Sequence, residues 1–315
     1  MSHVVKMMSV ENINKMKTAL TASLTPTPPP GSFFSAKLPG CAITAYKSGK
    51  VLFQGKSAEA EAAKWDGNPT SPAAKKTSAP KQAHRFSPPP NIAKLAVIGS
   101  DEVGTGDYFG PITVAAAFVH PGQFELLKEL GVKDSKNLND KQIIEIAKNL
   151  IVTIPYSLLV LPNPKYNELQ KTGMTQGKMK AILHNRALQN VIQKLEGTPY
   201  DGILVDQFCE PDIYFSHIRK EKEQLRDRMY FSTKGESVHL SVAAASIIAR
   251  YSFLKEMDTL SAKAGAVLPK GASSLVDAKA AELLEKHGEA ILHNVAKTHF
   301  ANTKKAYNLL LKKKQ

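Results

Sequence analysis

The stretch KLAVIGSDEVGTG, residues 94–106, runs from an apolar segment through two acids into a glycine-rich turn. The run KLAVIGS at 94–100 predicts a buried strand, and Asp101 and Glu102 follow directly at its end. Because neighbouring side chains on a strand diverge, one carboxylate can point into a site while the other approaches from its rim. Most such acids are solvated turn residues, but the position of this pair favours a functional site.

Further apolar runs predict an α/β fold around that strand. Buried strands are predicted over residues 112–119, 157–162 and 201–208, and long helices over residues 174–197 and 241–260. Strands interleaved with helices indicate an α/β sandwich whose site lies at the strand ends.

Two further acids lie far along the chain from Asp101 and Glu102. Asp206 is a lone acid inside the apolar run ILVDQF, where a charge is costly unless it is paired or bound to a metal. Glu236 precedes a predicted helix, where it can also serve as an ordinary acid near the helix start. Together the four acids offer oxygen ligands and no thiolate, which favours Mg²⁺ or Mn²⁺ over Zn²⁺. Two such ions can activate water and stabilise the entering and leaving oxygens of a phosphodiester.

Two loops near these acids carry groups suited to a nucleic-acid backbone. The glycines of Gly104-Thr105-Gly106 permit close approach of a ligand, although the motif matches neither a dinucleotide-binding nor a Walker pattern. Ser135 and Lys136 supply donors that can contact phosphates, with helix capping as an equal alternative.

Composition excludes several other classes of protein. The 315 residues include only Cys41 and Cys209, which excludes a disulfide framework and a cysteine-rich zinc site. The N-terminus lacks the apolar run of a signal peptide, and the longest apolar run, at 242–249, is too short for a membrane span. We therefore expect a protein of the reducing cytoplasm. Four histidines show no metal-ligand spacing and are interpreted as structural or surface residues: His184, His239, His293 and His299.

The net charge of +14 is concentrated at the two ends of the chain. Residues 1–90 carry +8 and residues 301–315 carry +5, whereas residues 91–300 carry +1. Basic ends around a near-neutral middle indicate ends that hold a polyanion. The alternative is that these lysines only keep the protein in solution.

A segment rich in Pro, Ser, Ala and Lys divides the chain at residues 66–92. It has too few large apolar residues to fold, so it is predicted to be a flexible linker. It separates a small domain, residues 1–65, from a larger domain, residues 93–315. The small domain is predicted to be α+β, because helical patterns lie at both ends and three β-rich runs lie between them.

The last two β-rich runs of the small domain predict a hairpin with a two-residue turn. If Lys47 pairs with Lys50, Tyr46 lies opposite Val51 on the side that packs on the helices. Lys47, Lys50 and Leu52 then lie on an open face suited to a nucleic-acid backbone. The alternative is a solvated edge with incidental lysines.

Four segments resemble successive motifs of type 2 ribonucleases H, and within that family they are most similar to ribonuclease HIII. The segments are GSDEVGTGDYFGP (99–111), VKDSKNL (132–138), DGILVDQF (201–208) and TKGESVHLSVAAASIIAR (233–250). The small domain with its linker is similar to the TATA-binding-protein-like substrate domain of that family. For the larger domain, the resemblance implies a ribonuclease H-like mixed sheet flanked by helices.

The resemblance also implies an endoribonuclease that hydrolyses the RNA strand of RNA–DNA hybrids. Cleavage in that family uses two metal ions and leaves 5′-phosphate and 3′-hydroxyl ends. The implied catalytic and metal-binding set is Asp101, Glu102, Asp206 and Glu236, with Asp101 and Asp206 bridging or sharing the ions.

Two positions distinguish this chain from the related ribonucleases HII, which usually carry Asp in place of Glu236 and Arg in place of Thr105. Both departures favour ribonuclease HIII and put in doubt incision beside a single ribonucleotide embedded in DNA. The backbone amides of Gly104, Thr105 and Gly106 are expected to contact ribose 2′-hydroxyls, which distinguish RNA from DNA. The open alternatives are ribonuclease HII-like incision at single ribonucleotides and a non-catalytic hybrid-binding protein. We expect a monomer that binds the hybrid duplex and no membrane.

Overall fold

The computed structural model describes residues 3–29, 31–46, 48–65, 85–133 and 135–313. The chain forms two compact units, Met1–Gln82 and Ala83–Gln315. Within the described parts of the chain, no helix is long and apolar enough to cross a membrane.

In its described residues, the N-terminal unit is a four-stranded antiparallel sheet with two α-helices. Helix α1 begins after Ser9, whose hydroxyl accepts a hydrogen bond of 3.2 Å from the amide of Asn12, and its buried Ile13 and Met16 join the core of the unit. The strands lie in the order β1-β4-β3-β2 across the sheet. Their bounds, followed by those of the helices, are β1 (His3–Met7), β2 (Ser32–Leu38), β3 (Cys41–Tyr46), β4 (Lys50–Gln54), α1 (Val10–Ala19) and α2 (Ala58–Ala63).

The hairpin between β3 and β4 differs from its predicted register by one residue. Ala45 pairs with Val51, and three residues of sequence separate the end of β3 at Tyr46 from the start of β4 at Lys50, where a two-residue turn was predicted. Gly49 adopts a φ of +83° and donates its amide to the carbonyl of Tyr46 at 3.0 Å. A glycine in this left-handed conformation closes a three-residue hairpin loop without steric cost.

This shift changes which hairpin residues reach the core. The buried face is made by Ile43, Ala45, Val51 and Phe53, and Tyr46 lies half-buried on the opposite face. The prediction that Tyr46 packs in the core is therefore wrong. Lys50 and Leu52 lie on the open face, as predicted, since they alternate along β4 with the buried Val51 and Phe53. Lys47 lies outside the described residues.

The larger unit is built on a mixed sheet, as predicted, and the sheet has five strands where the sequence predicted four. The strands lie in the order β7-β6-β5-β8-β9, and β5 pairs antiparallel with β6 and parallel with β8. Their bounds are β5 (Val97–Val103), β6 (Ile112–Val119), β7 (Tyr156–Leu161), β8 (Gly202–Asp206) and β9 (Met229–Ser232).

Helices cover both faces of this sheet. The apolar side chains of α6 and α7 pack on one face, and those of α4 and α8 pack on the other. A third cluster joins α9, α10 and α11 to Tyr108 and Phe109 of the loop between β5 and β6. The helices are α3 (Phe124–Glu129), α4 (Asp140–Thr153), α5 (Asn163–Lys171), α6 (Gln176–Lys194), α7 (Pro211–Ile218), α8 (Leu240–Ala264), α9 (Ser274–His287), α10 (Glu289–Val295) and α11 (Ala301–Lys313).

Gly99 allows α8 to lie directly against the central strand. A Cβ atom at this position would lie 2.4 Å from the backbone nitrogen of Val242. No side chain larger than hydrogen fits between β5 and α8 here, so the start of α8 reaches the sheet beside Asp101.

The predicted linker ends earlier than residue 92. The ring of Phe86 lies 4.9 Å from the ring of Phe215, and its carbonyl accepts the amide of Phe231 at 2.9 Å. Ile92 is also buried. Residues 85–92 therefore belong to the larger unit, and the rest of the predicted linker, residues 66–84, lies outside the described residues.

Candidate active site

Asp101 and Glu102 lie inside β5, not beyond its end as predicted, because the strand continues to Val103. Adjacent residues of a strand face opposite sides of the sheet. Asp101 accordingly lies on the side of α8, beside Ser246. Glu102 lies on the side of α6. The two neighbouring carboxylates therefore have different surroundings.

Asp101 meets two of the other predicted acids. One oxygen from each of Asp101, Asp206 and Glu236 lies within 4.8 Å of the others. Asp206 ends β8, the parallel neighbour of β5, and its Oδ1 accepts the amide of Gly235 at 2.7 Å. Lys234 precedes this amide in a left-handed conformation with a φ of +61°, and Glu236 lies in the short 3-10 turn that follows. Acids from three distant segments thus form one cluster.

The cluster has the electrostatics of a cation site. Burial, followed by the charges of Glu102 and Asp206, raises the pKa of Asp101 well above its usual value. Burial also raises the pKa of Asp206, and the charge of Glu236 adds to that rise. Among the described residues, Oε2 of Glu236 is a buried oxygen without a hydrogen-bond partner. Crowded carboxylates with an unsatisfied oxygen fit hard divalent cations such as Mg²⁺ and Mn²⁺.

Glu102 is held apart from this three-acid cluster by two side chains of α6. Lys180 Nζ lies 2.7 Å from Oε1 of Glu102, and His184 Nε2 lies 3.0 Å from Oε2. Burial alone would raise the pKa of Glu102, but the hydrogen bonds and charges of His184 and Lys180 hold that pKa below its usual range. The structure therefore brings three of the four predicted acids together. The fourth, Glu102, lies beside them in contact with α6.

Lys180 was not predicted from the sequence, and His184 was interpreted as one of four structural or surface histidines. Residues four apart share one face of a helix, and here that face meets the sheet beside Glu102. The signal that could have found them is a basic pair at this spacing on the apolar face of a predicted helix.

Ser135 and Lys136 lie near the cluster in different ways. The hydroxyl of Ser135 is buried and lies 2.9 Å from that of Ser246, so it faces α8 and is not presented to a phosphate. Arg250 donates to the carbonyl of Ser135 and fixes the turn. Lys136 is paired with Oε1 of Glu236, and its side chain is 72% exposed. Lys136 therefore lies between the acids and solvent.

The glycine motif begins with a position that requires glycine. Gly104 has a φ of +95°, and a Cβ atom there would lie 2.2 Å from the carbonyl oxygen of Pro111. A Cβ atom at Gly106, in contrast, would meet no heavy atom within 4 Å, so Gly106 opens toward space that a ligand can occupy.

Two side chains anchor the loop that contains this motif. Gln176 donates to the carbonyl of Thr105 at 3.1 Å, from the first turn of α6. Lys297 is fully buried and donates to the carbonyls of Asp107 and Gly110, at 2.8 and 2.5 Å. Burial lowers the pKa of Lys297 to about 7. The backbone of the motif is thus fixed from both sides.

Family models match both units of the chain, and curated relatives match its full length. The family model described as Ribonuclease HII matches residues 98–303, and one described as a domain of unknown function (DUF3378) matches residues 3–78. Ribonuclease HIII of Bacillus subtilis (strain 168) is 58% identical over 315 residues, which cover 100% of both chains. Ribonuclease HIII of Bacillus velezensis is 57% identical over 314 residues, again with 100% of each chain covered.

Solved structures of similar proteins match this chain over nearly its full length. Bst-RNase HIII in complex with Mn²⁺ is 45% identical, with a TM-score of 0.68 over 99% of this chain and 100% of that one. The Q54A mutant protein of Bst-RNase HIII gives a TM-score of 0.69 at the same identity, over 98% of this chain and 99% of that one. The chain therefore belongs to the ribonuclease HIII family.

Proposed function

We propose that this protein is an endoribonuclease that hydrolyses the RNA strand of RNA–DNA hybrids with the aid of Mg²⁺ or Mn²⁺. The observation that carries the proposal is the buried cluster of Asp101, Asp206 and Glu236 in a chain of the ribonuclease HIII family. An intact acid cluster also argues against a hybrid-binding protein without catalytic activity.

Asp101, Asp206 and Glu236 would hold the cations, and Glu102 would complete the set from the α6 side. When bound, the cations supply activation of water and neutralisation of charge at the phosphodiester. The protein groups orient this site: the amide of Gly235 fixes the carboxylate of Asp206. Lys136, beside Glu236 and exposed, can donate to a phosphate oxygen of the substrate. Attack of water on the RNA phosphodiester with the 3′-oxygen as the leaving group would break the P–O3′ bond and give 5′-phosphate and 3′-hydroxyl ends.

The glycine motif is the proposed reader of the RNA strand. The backbone amides of Gly104, Thr105 and Gly106 would contact ribose 2′-hydroxyls, which DNA lacks. Anchoring of Thr105 by Gln176 supports this role, because a reader must hold its donors in fixed positions. The open space beside Gly106 leaves room for a sugar-phosphate backbone.

The N-terminal unit is the proposed grip on the duplex. Lys50 lies on the open face of its sheet, beside the exposed side chains of Val5 and Met7 on the neighbouring strand. Lys47 follows β3 in sequence and remains a proposed contact. A basic sheet face can hold phosphates through charge without reading bases. We further propose that the enzyme works as a cytoplasmic monomer.

A cleavage assay with two substrates tests the proposal against its nearest alternative. In Mg²⁺ or Mn²⁺ the protein should cut the RNA strand of a continuous hybrid and leave the DNA strand whole. Duplex DNA with one embedded ribonucleotide should be a poor substrate, because it offers one 2′-hydroxyl where the motif contacts several. Efficient incision at the single ribonucleotide would support the ribonuclease HII-like alternative. The Asp206→Asn variant in the same assay controls for a contaminating nuclease.

A further inference from the structure

The carboxylate of Glu102 is held by two buried basic side chains to which the proposed reaction assigns no role. His184 is 0% exposed and Lys180 is 7% exposed, and both lie against the same carboxylate. Burying two basic side chains is costly unless each is paired. Each oxygen of the Glu102 carboxylate contacts one of these two side chains, so rotation of the carboxylate group is restricted.

His184 is itself oriented by β5. Its Nδ1 lies 2.9 Å from the hydroxyl oxygen of Ser100, and Ser100 lies on the same face of the strand as Glu102, two residues earlier. A carboxylate accepts hydrogen bonds and cannot donate them, so Nε2 of His184 carries the proton in its contact with Glu102. The Ser100 hydroxyl then fixes the plane of the imidazole ring.

Phe208, close to Asp206 in sequence, packs against both basic side chains that hold Glu102. The ring of Phe208 lies 5.2 Å from the ring of His184, with 32° between the planes. The same ring lies 4.1 Å from Nζ of Lys180. Phe208 follows Asp206 by two residues. The side chains that hold Glu102 therefore pack against the segment that carries another acid of the cluster.

We propose that His184, oriented by Ser100, is a positioning residue that fixes the Glu102 carboxylate beside the three-acid cluster and thereby increases the affinity of the site for divalent cations. This inference rests on the proposed use of such cations. Each Glu102 oxygen keeps a further lone pair after it accepts one hydrogen bond, so the contact leaves Glu102 able to act as a ligand. Loss of a hydrogen-bonded partner behind a metal ligand commonly weakens metal binding by about 10–100-fold.

A matched pair of substitutions tests this role in the full chain. His184→Leu and His184→Gln place side chains of similar size in the buried site, but only glutamine retains an N–H donor for Glu102. Binding of Mn²⁺, followed by the electron paramagnetic resonance signal of the free ion, should weaken about tenfold in His184→Leu. His184→Gln should recover most of that loss. Arg186→Ala, at an exposed position of α6, should bind Mn²⁺ like the parent protein.

Ser100→Ala provides a milder variant, because it removes the group that orients His184 and preserves the histidine. It should weaken Mn²⁺ binding in the same direction but to a smaller extent. Thermal unfolding in EDTA identifies variants that are folded, and KM for the hybrid should stay near the parent value while kcat falls. A folded His184→Leu variant with the Mn²⁺ affinity of the parent protein would overturn the inference. If His184→Leu does not fold, parent-like Mn²⁺ affinity in Ser100→Ala would overturn it.

The outcome also separates this inference from the proposed function. A parent protein that binds Mn²⁺ but leaves the hybrid uncut would overturn the proposed function only, since the affinity of each variant for the ion is still measured. A parent protein that does not bind Mn²⁺ would overturn the inference, and it would overturn the proposed function as well if the hybrid also stays uncut in Mg²⁺.

Discussion

Asp101 carries much of the electrostatic cost of the site. Burial and the charges of Glu102 and Asp206 raise its pKa well above the usual value of 3.8. An acid with a raised pKa binds its proton more tightly in the folded state than in the unfolded state. Stability therefore falls as the pH rises from about the unfolded pKa through the folded pKa. At neutral pH without cations, Asp101 is therefore expected to destabilise the fold.

Asp101→Asn should have opposite effects on cleavage and on stability. Cleavage should fall by more than about a hundredfold, because a lost metal ligand removes several kcal/mol of transition-state stabilisation. In EDTA at pH 7 the Tm should rise, by about 2–4 °C for each kcal/mol of repulsion relieved. Hybrid binding should persist. Cleavage assays and thermal unfolding measure both effects.

Asp258→Asn is a suitable control, since Asp258 is an exposed aspartate on α8 and should leave both quantities unchanged. Near-parent turnover by Asp101→Asn would contradict the catalytic assignment. An unchanged or lower Tm in EDTA would contradict the proposed repulsion.

At the scale of elements, the predicted strands and helices near the site were largely confirmed. Strand β6 was predicted at its observed bounds, and α6 and α8 within a few residues of theirs, because long apolar patterns dominate there. The four-residue β9 and the five-residue β1 were missed. Strands this short carry little pattern of their own, and pairing with β8 and β4 defines them.

The candidate site was predictable in its residue types and less so in its arrangement. Alternation along β5 predicts that Asp101 and Glu102 diverge, but the sequence does not show which helix each will face. The location of Glu102 beside His184 depends on how α6 crosses the sheet. Similarly, the hairpin register depended on the conformation of Gly49, and a two-residue turn fitted the sequence equally well.

The loop between β5 and β6 allows a prediction from two glycines two residues apart. Gly104→Ala should destabilise the fold by at least about 1–2 kcal/mol, because alanine is strained at a φ of +95° and its Cβ meets the carbonyl of Pro111. Gly106→Ala should leave the Tm nearly unchanged, since its added methyl group meets no heavy atom within 4 Å. If the hybrid backbone approaches Gly106, that methyl group should raise KM.

Thermal unfolding and steady-state kinetics on the two variants check this prediction. Each glycine serves as the control for the other, because the substitution is identical and only the surroundings differ. A parent-like KM for Gly106→Ala would show that the substrate does not pass close to this position.

At the scale of the whole molecule, positive charge is concentrated toward the two ends of the chain, and the acid cluster lies in the near-neutral sequence between them. Residues 1–90 carry +8 while residues 91–300, which include the acid cluster, carry +1. The simplest explanation of this uneven charge is that the N-terminal unit binds the substrate and the larger unit cleaves it. Because residues 85–92 pack in the larger unit, a truncation that tests it should remove residues 1–82 and keep Phe86.

Affinity for the hybrid should therefore depend on salt mainly through the N-terminal unit. Each phosphate contact releases counterions, so the logarithm of affinity falls with the logarithm of salt concentration by about 0.9 per duplex phosphate contacted. Removal of residues 1–82 should weaken hybrid binding, flatten this slope and raise KM, while metal-dependent cleavage persists at a reduced level.

In the full chain, Lys50→Ala should reduce the slope by about one unit, and Lys47→Ala with it should reduce the slope further. Lys15→Ala is the matched control, because it removes the same charge from an exposed position on α1, a helix that packs on the opposite side of the sheet. Equal slopes for Lys50→Ala and Lys15→Ala would mean that the open sheet face does not hold the duplex, and equal slopes for the full and truncated chains would assign the basic unit another role.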